Sequence, residues 1–176
     1  YLVWDPASKA AALFDTGTDA SKAIATAVEL GLELGQLFLT HTHLDHIIDR
    51  AAVEAHNEDL RTYVNALEPA ERATRFQPGD CFTVGGLKIS TRLTKGHSPG
   101  GITYVIEGLE RPVAIAGDAL FAQSMGGGMI SYQDALATNR SELFTLADHT
   151  VICPGHGPMT SVGEEKAHNP FYPEFK

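Results

Sequence analysis

Apolar positions come in short runs along this chain, and the spacing within each run changes. Tyr1–Trp4 and Ala11–Phe14 are apolar stretches split by the turn-forming Asp5-Pro6-Ala7-Ser8, a pattern that predicts a β-hairpin. Asp15-Thr16-Gly17-Thr18-Asp19 reads as a second turn. From Ala20 to Gly31 the period lengthens: Ala23, Ile24, Ala27, Val28 and Leu30 recur at near-helical spacing, and Gly31 stops the helix. Leu37-Phe38-Leu39-Thr40 predicts a brief strand, Ile47–Ala55 a helix and Arg61–Ala66 another strand. Turn residues at Gln77–Asp80 and Gly85-Gly86 then punctuate four strands, Cys81–Val84, Leu87–Thr94, Ile102–Glu107 and Pro112–Ala116. After a loop at Gly126-Gly127-Gly128 the pattern predicts a helix over Ser131–Leu146, a strand over Thr150–Cys153 and a short helix over Gly163–His168.

Strands with helices interspersed on two sides predict an α/β layered sandwich. No tandem repeat or linker interrupts it, so residues 1–176 read as a single domain. At 43% hydrophobic and 20% charged residues the chain has a globular composition. The formal net charge of −9 disfavours nucleic acid and anionic membrane as partners, since phosphate neutralisation needs a surplus of Lys and Arg. The expected partner is a small molecule. No apolar run reaches the length of about 18 residues that a membrane span needs, and no signal peptide is visible, which leaves the cytoplasm as the default compartment. The chain opens inside an apparent strand, so residues upstream of Tyr1 could belong to the native protein. Cys81 and Cys153 form no CxxC pattern and read as buried or inert thiols.

The candidate chemistry lies in four segments, each after an apolar strand. The first is His41-Thr42-His43-Leu44-Asp45-His46. In extended chain, residues i and i+2 point the same way, so His41 and His43 can converge on one ion. The turn toward the following helix lets Asp45 and His46 face a neighbouring one. The others are Gly96-His97-Ser98-Pro99-Gly100-Gly101, Ala116-Gly117-Asp118-Ala119 and Cys153-Pro154-Gly155-His156-Gly157-Pro158. Glycine and proline make tight loops that present one side chain each. Imidazole and carboxylate suit zinc and also iron or manganese, and the lack of a cysteine ligand points to an open catalytic site. Ser98 and Cys153 adjoin candidate ligands but have no base partner, and both read as structural. His56, His149 and His168 read as surface or local structural residues, while Lys95 and Arg140 are cations that could meet an anionic substrate.

The order His41-x-His43-x-Asp45-His46, His97, Asp118, His156 resembles the metallo-β-lactamase fold superfamily over the whole chain. Gly96-His97-Ser98-Pro99-Gly100, Gly117-Asp118-Ala119-Leu120-Phe121 and the tail Gly163–Phe171 are most similar to its short, single-domain glyoxalase II-like hydrolases. The resemblance implies a four-layer αβ/βα sandwich with the site along one edge. It implies two divalent ions, zinc foremost, one held by His41, His43 and His97 and the other by Asp45, His46 and His156. It further implies that Asp118 bridges them and that Asp45 and Asp118 are the catalytic carboxylates. The implied reaction is attack of a metal-activated hydroxide on a thioester or ester carbonyl.

The chain departs from that pattern at Ile48-Asp49, where many relatives have glycines, and in two places that bear on the substrate. Glyoxalase II enzymes recognise glutathione partly through a basic residue in the loop after the bridging Asp, where this chain has Gly127. It also ends shortly after Phe171, without the helical substrate domain of the larger enzymes. Both departures point away from a charged anchor for glutathione. Met125 and Met129 beside the glycines suggest apolar contact instead. Persulfide dioxygenases resemble the same branch, which implies an alternative single iron on His41, His97 and Asp118. Lactonase and β-lactamase activities are further alternatives within the hydrolases.

Overall fold

A computed structural model describes residues 1–175 of the chain. The predicted hairpin forms as β1 (Leu2–Trp4) and β2 (Ala10–Phe14), paired antiparallel with Leu2 opposite Leu13. Helix α1 (Ser21–Glu29) follows, and Gly31 with φ +60° turns the chain out of it. The chain then adds β3 (Glu33–Phe38), β4 (Arg61–Asn65) and β5 (Thr74–Phe76) in parallel, giving a five-stranded sheet in the order β1-β2-β3-β4-β5.

The second sheet begins with the antiparallel meander β6 (Cys81–Val84), β7 (Leu87–Leu93), β8 (Ile102–Glu107) and β9 (Val113–Gly117). A small hairpin, β10 (Leu120–Phe121) and β11 (Ser124–Met125), leads to α4 (Tyr132–Thr138), which runs on into a wide π-helical turn, Asn139–Leu143. The chain then returns as β12 (Val151–Pro154), parallel to β9, and ends its regular structure with β13 (Thr160–Ser161), α5 (Val162–His168) and a 3₁₀ turn at Pro173–Phe175. The six strands run in the order β13-β12-β9-β8-β7-β6.

Alternation along the strands builds the layers, because successive side chains face opposite ways. Ala12 and Phe14 of β2 enter the cluster between the sheets with Phe38, Phe76, Ile89, Tyr104 and Ile115. Ala11 and Leu13 of the same strand face the other way, against Ala20, Leu37, Val53 and Val64 under the helices of the first sheet. On the far side of the second sheet Ala116 and Ile152 meet Leu143, Phe144, Val162 and Tyr172. The result is four layers, helix-sheet-sheet-helix, as expected. Strands buried on both faces are why the sequence shows continuous apolar runs there.

Two predicted helices differ. Ile47–Ala55 is two pieces, α2 (Leu44–Ile47) and α3 (Arg50–His56). The His46 carbonyl accepts the N–H groups of Thr16 and Gly17 at 2.8 and 3.2 Å, so it is taken by the turn after β2 rather than by a continuing helix. The Ser131–Leu146 helix loosens after Thr138. There the buried Asn139 amide donates to the Ala119 carbonyl and the Tyr172 hydroxyl at 2.8 and 2.7 Å. Val28 in α1 and Leu30 just after it are exposed despite their apolar spacing. Cys153 is buried between the sheets, Cys81 is exposed on β6, and both are free thiols. No helix among the described residues is long and apolar enough to cross a membrane.

Candidate metal centre

The four candidate segments meet at one edge of the sandwich. Each follows the C-terminal end of a strand: β3 for His41–His46, β7 for His97, β9 for Asp118 and β12 for His156. Strand ends of α/β folds commonly carry functional groups, since the sheet is rigid and the loops vary. Two glycines let the loops close in. Gly117 has φ +51°, and a Cβ on Gly155 would collide with Asp118 Oδ1 and His46 Cε1.

All seven candidate residues converge, in overlapping groups. His43 Nδ1 lies 3.1 Å from His41 Nε2 and 2.9 Å from His97 Nε2. Asp118 Oδ2 lies 3.4 Å from His97 Nε2 and 3.6 Å from His156 Nε2, while Oδ1 faces His46 Nε2 at 3.3 Å. Asp45 Oδ2 is 3.0 Å from His156 Nε2 and 3.8 Å from His46 Nε2. His41, His46 and Asp118 are buried, whereas Asp45 and His156 are exposed at the mouth.

This donor set fits metal ions. Tetrahedral ligands about 2.0–2.1 Å from zinc stand about 3.3–3.4 Å apart, close to the separations here. His46 Nε2 and Asp118 Oδ1 are buried without a hydrogen-bond partner, although each faces the other. A buried polar atom left unpaired is costly, and a cation between them removes that cost. In the bare site, burial competes with the neighbouring charges. Burial and the neighbouring His46 lower the pKa of His41 to about 4. Burial works against protonated His46 too, but the Asp118 and Asp15 carboxylates prevail and raise its pKa to about 10. Burial pushes the Asp118 carboxyl up, yet the surrounding imidazoles outweigh it and hold it below its ordinary value.

One residue of this arrangement went unassigned in the sequence. Asp15, at φ +53°, accepts the Thr40 N–H and O–H at 2.7 and 2.6 Å and faces His46 Nδ1 at 2.8 Å. It turns His46 Nε2 toward the site, as carboxylates behind metal-binding imidazoles do. The signal was its place directly after an apolar strand, the position the other segments share. Gly127 acts through its backbone, its carbonyl oxygen lying 2.9 Å from His97 Nδ1.

The flanking residues divide. Lys95 pairs with Asp134 at 3.1 Å, and Arg140 pairs with Glu174 while lying over the Tyr172 ring, so each already has a carboxylate partner. Met125 is buried, its sulfur accepting from the Tyr172 hydroxyl, whereas Met129 is exposed. Ser98 is buried beside the His97 loop with an unpartnered hydroxyl. His56, His149 and His168 are exposed and join none of the three groups of potential ligands.

The sequence pattern of the Metallo-beta-lactamase superfamily matches residues 1–156, and the chain belongs to that superfamily. Within it, the chain is 32% identical to hydroxyacylglutathione hydrolase GloC of Haemophilus influenzae, over 97% of this chain and 90% of the relative. It is 29% identical to the mitochondrial persulfide dioxygenase ETHE1 of Bos taurus, over 97% of this chain and 69% of that one. Among solved structures, that of the BLEG-1 B3 metallo-beta-lactamase superposes with a TM-score of 0.87 at 28% identity, covering 97% of this chain and 92% of the other.

Proposed function

We propose that this chain is a binuclear metal-dependent hydrolase that cleaves the carbonyl of a thioester or related ester. The observation that carries the reading is the position of Asp118, whose two oxygens face different imidazoles, His46 on one side and His97 and His156 on the other. His41, His43 and His97 would hold one ion and Asp45, His46 and His156 the second, with Asp118 shared. Zinc fits this nitrogen-rich set, and iron or manganese also fit. Bound divalent ions supply an activated water and an electrophile for the carbonyl oxygen. Asp15 and the Gly127 carbonyl orient His46 and His97. Asp45, exposed at the mouth, is the carboxylate placed to hold the proton that the attacking water gives up.

The substrate side favours an uncharged ligand. Lys95 and Arg140 are already paired, and Gly127 contributes only its backbone. Leu44 and Met129 are 72% and 71% exposed next to His43 and in the Gly127 loop. A thioester or lactone with an apolar acyl part therefore fits better than one held by its carboxylates. The test compares kcat/KM for S-lactoylglutathione with that for its glutathione-free analogue. A real charged anchor is worth about 1–3 kcal/mol, about 5- to 150-fold. A preference of that size for the glutathione compound defeats the uncharged-substrate reading.

The similarity to a persulfide dioxygenase supports a second reading, a single iron on His41, His97 and Asp118. The convergence of Asp45, His46 and His156 favours two ions, since a single-iron trio has no use for that second group. Metal content separates the two: one iron per chain with oxygen consumption selects the dioxygenase, and two ions with thioester cleavage select the hydrolase.

A further inference from the structure

Glu68 lies in the turn after β4, on none of the candidate ligand segments, and it is only 2% exposed. Both of its oxygens are engaged. Oε2 accepts the Thr42 N–H at 3.1 Å and the Thr42 O–H at 2.7 Å, and Oε1 accepts the Gly100 N–H at 2.7 Å. Thr42 stands between His41 and His43, and Gly100 is three residues beyond His97. One carboxylate thus spans the loop after β3 and the loop after β7.

The strap is itself anchored. The Glu68 N–H donates to the Asn65 carbonyl at 2.9 Å, and the Asn65 amide donates to the Gly100 carbonyl at 2.8 Å. Arg75 Nη1 donates to the Glu68 carbonyl at 2.9 Å. Gly100 is pressed against this turn so closely that a Cβ there would lie 2.8 Å from the Leu67 Cβ and 3.1 Å from the Glu68 Cγ.

Burying a carboxylate is costly, and a neutral amide in its place would offer one accepting oxygen and turn an NH2 toward the donors of the other loop. What the carboxylate adds is three charge-assisted hydrogen bonds divided between two loops. Those loops need holding. His43 Nδ1 and His97 Nε2, one from each loop, stand 2.9 Å apart, and when both lone pairs are free to bind an ion they repel each other in its absence. We propose that Glu68 is a positioning residue that fixes His97 against His41 and His43, and so sets the affinity of the three-imidazole group for its ion. This rests on the ligand set proposed above.

The test is a Co²⁺ titration of the full chain carrying Asp45→Ala, His46→Ala and His156→Ala, which leaves the three-imidazole group as the sole complete group of candidate ligands among the described residues, followed through the visible absorption of the bound ion. That parent's own titration tests the ligand set, and the ratio of variant to parent tests Glu68. Adding Glu68→Gln is expected to weaken Co²⁺ binding about 10- to 100-fold and to change the absorption bands, as loss of a supporting contact behind metal ligands does. Thr42→Val, which removes only the hydroxyl contact, is expected to weaken it severalfold and decides the matter if Glu68→Gln does not fold. A residue that only stabilises the fold would lower the Tm and leave affinity and spectrum as in the parent. That result, in Glu68→Gln or in Thr42→Val, overturns the proposal.

Discussion

Asp118 concentrates more of the site than any single histidine. It faces His46, His97 and His156, is only 9% exposed, and has one oxygen with no hydrogen-bond partner. On the proposed two-ion reading, Asp118→Ala removes a negative charge from between the two ion positions and frees their spacing. We expect it to cost more activity than replacing any one of the candidate histidines, with loss of one ion and a rate drop on the order of 100-fold or more. Metal analysis beside steady-state kinetics checks this, and near-parental turnover with two ions retained would remove Asp118 from the bridging position. The candidate ligands were legible because their chemistry is spelled in side chains at short spacing. Asp15 was less so, being one polar residue in a polar turn whose partner His46 is 31 residues away. The contribution of Gly127 was invisible, since its working atom is a backbone oxygen that every residue carries.

At the scale of elements, runs of four or more residues bounded by turn residues predicted strands well. Cys81–Val84 and Ile102–Glu107 fall where the pattern put them. The unforeseen strands β5, β10, β11 and β13 are two or three residues long and owe their form to a neighbour rather than to their own pattern. The broken helices have the same cause, a tertiary hydrogen bond that overrides local periodicity. Helix α4 shows how an element reaches the site. The Ser131 hydroxyl caps it by accepting the Asp134 N–H at 3.1 Å, and the N–H groups of Ile130 and Ser131 both donate to the Gly96 carbonyl, one residue before His97. Ser131→Ala is expected to lower stability by about 1 kcal/mol, the usual worth of such a cap. It should also loosen the His97 loop. Thermal melts with hydrogen exchange at residues 96–98 read both effects; a lowered Tm with unchanged exchange there separates the cap from the loop.

Across the whole molecule, the two sheets are joined at the end of the first hairpin as well as through their shared core. Asp5, in the turn between β1 and β2, accepts the Gly86 N–H at 2.8 Å from the turn between β6 and β7, together with the Ala7 N–H and the Ser8 O–H. Those bonds, the Gly86 one foremost, hold its carboxyl below the ordinary carboxylate pKa. A carboxyl whose pKa is lower folded than unfolded adds stability above its unfolded pKa, about 4, and that share is lost as pH falls through the folded value. Asp5→Asn is therefore expected to lower the Tm at neutral pH and to narrow the gap from the parent as pH falls from 5 toward 3. A constant gap over that range would show that the charge of Asp5 does not contribute. The layered architecture was readable in outline because strands buried on both faces must be apolar throughout. The joint at Asp5 was not, since Gly86 lies 81 residues away in sequence.

The candidate ligands enter the sequence at residues 41 to 46, 97, 118 and 156, and the last of them follows a strand that must slot beside β9. Read as an order of synthesis, this delays the site until nearly all of the described fold has left the ribosome. The three-imidazole group can gather once His97 has emerged, but the group containing Asp45 and His46 waits for β12. Such late, long-range closure is slow compared with local folding. On the two-ion reading proposed above, the nascent chain would acquire its ions in sequence, and the second would also record that the parallel pairing of β12 with β9 had been made.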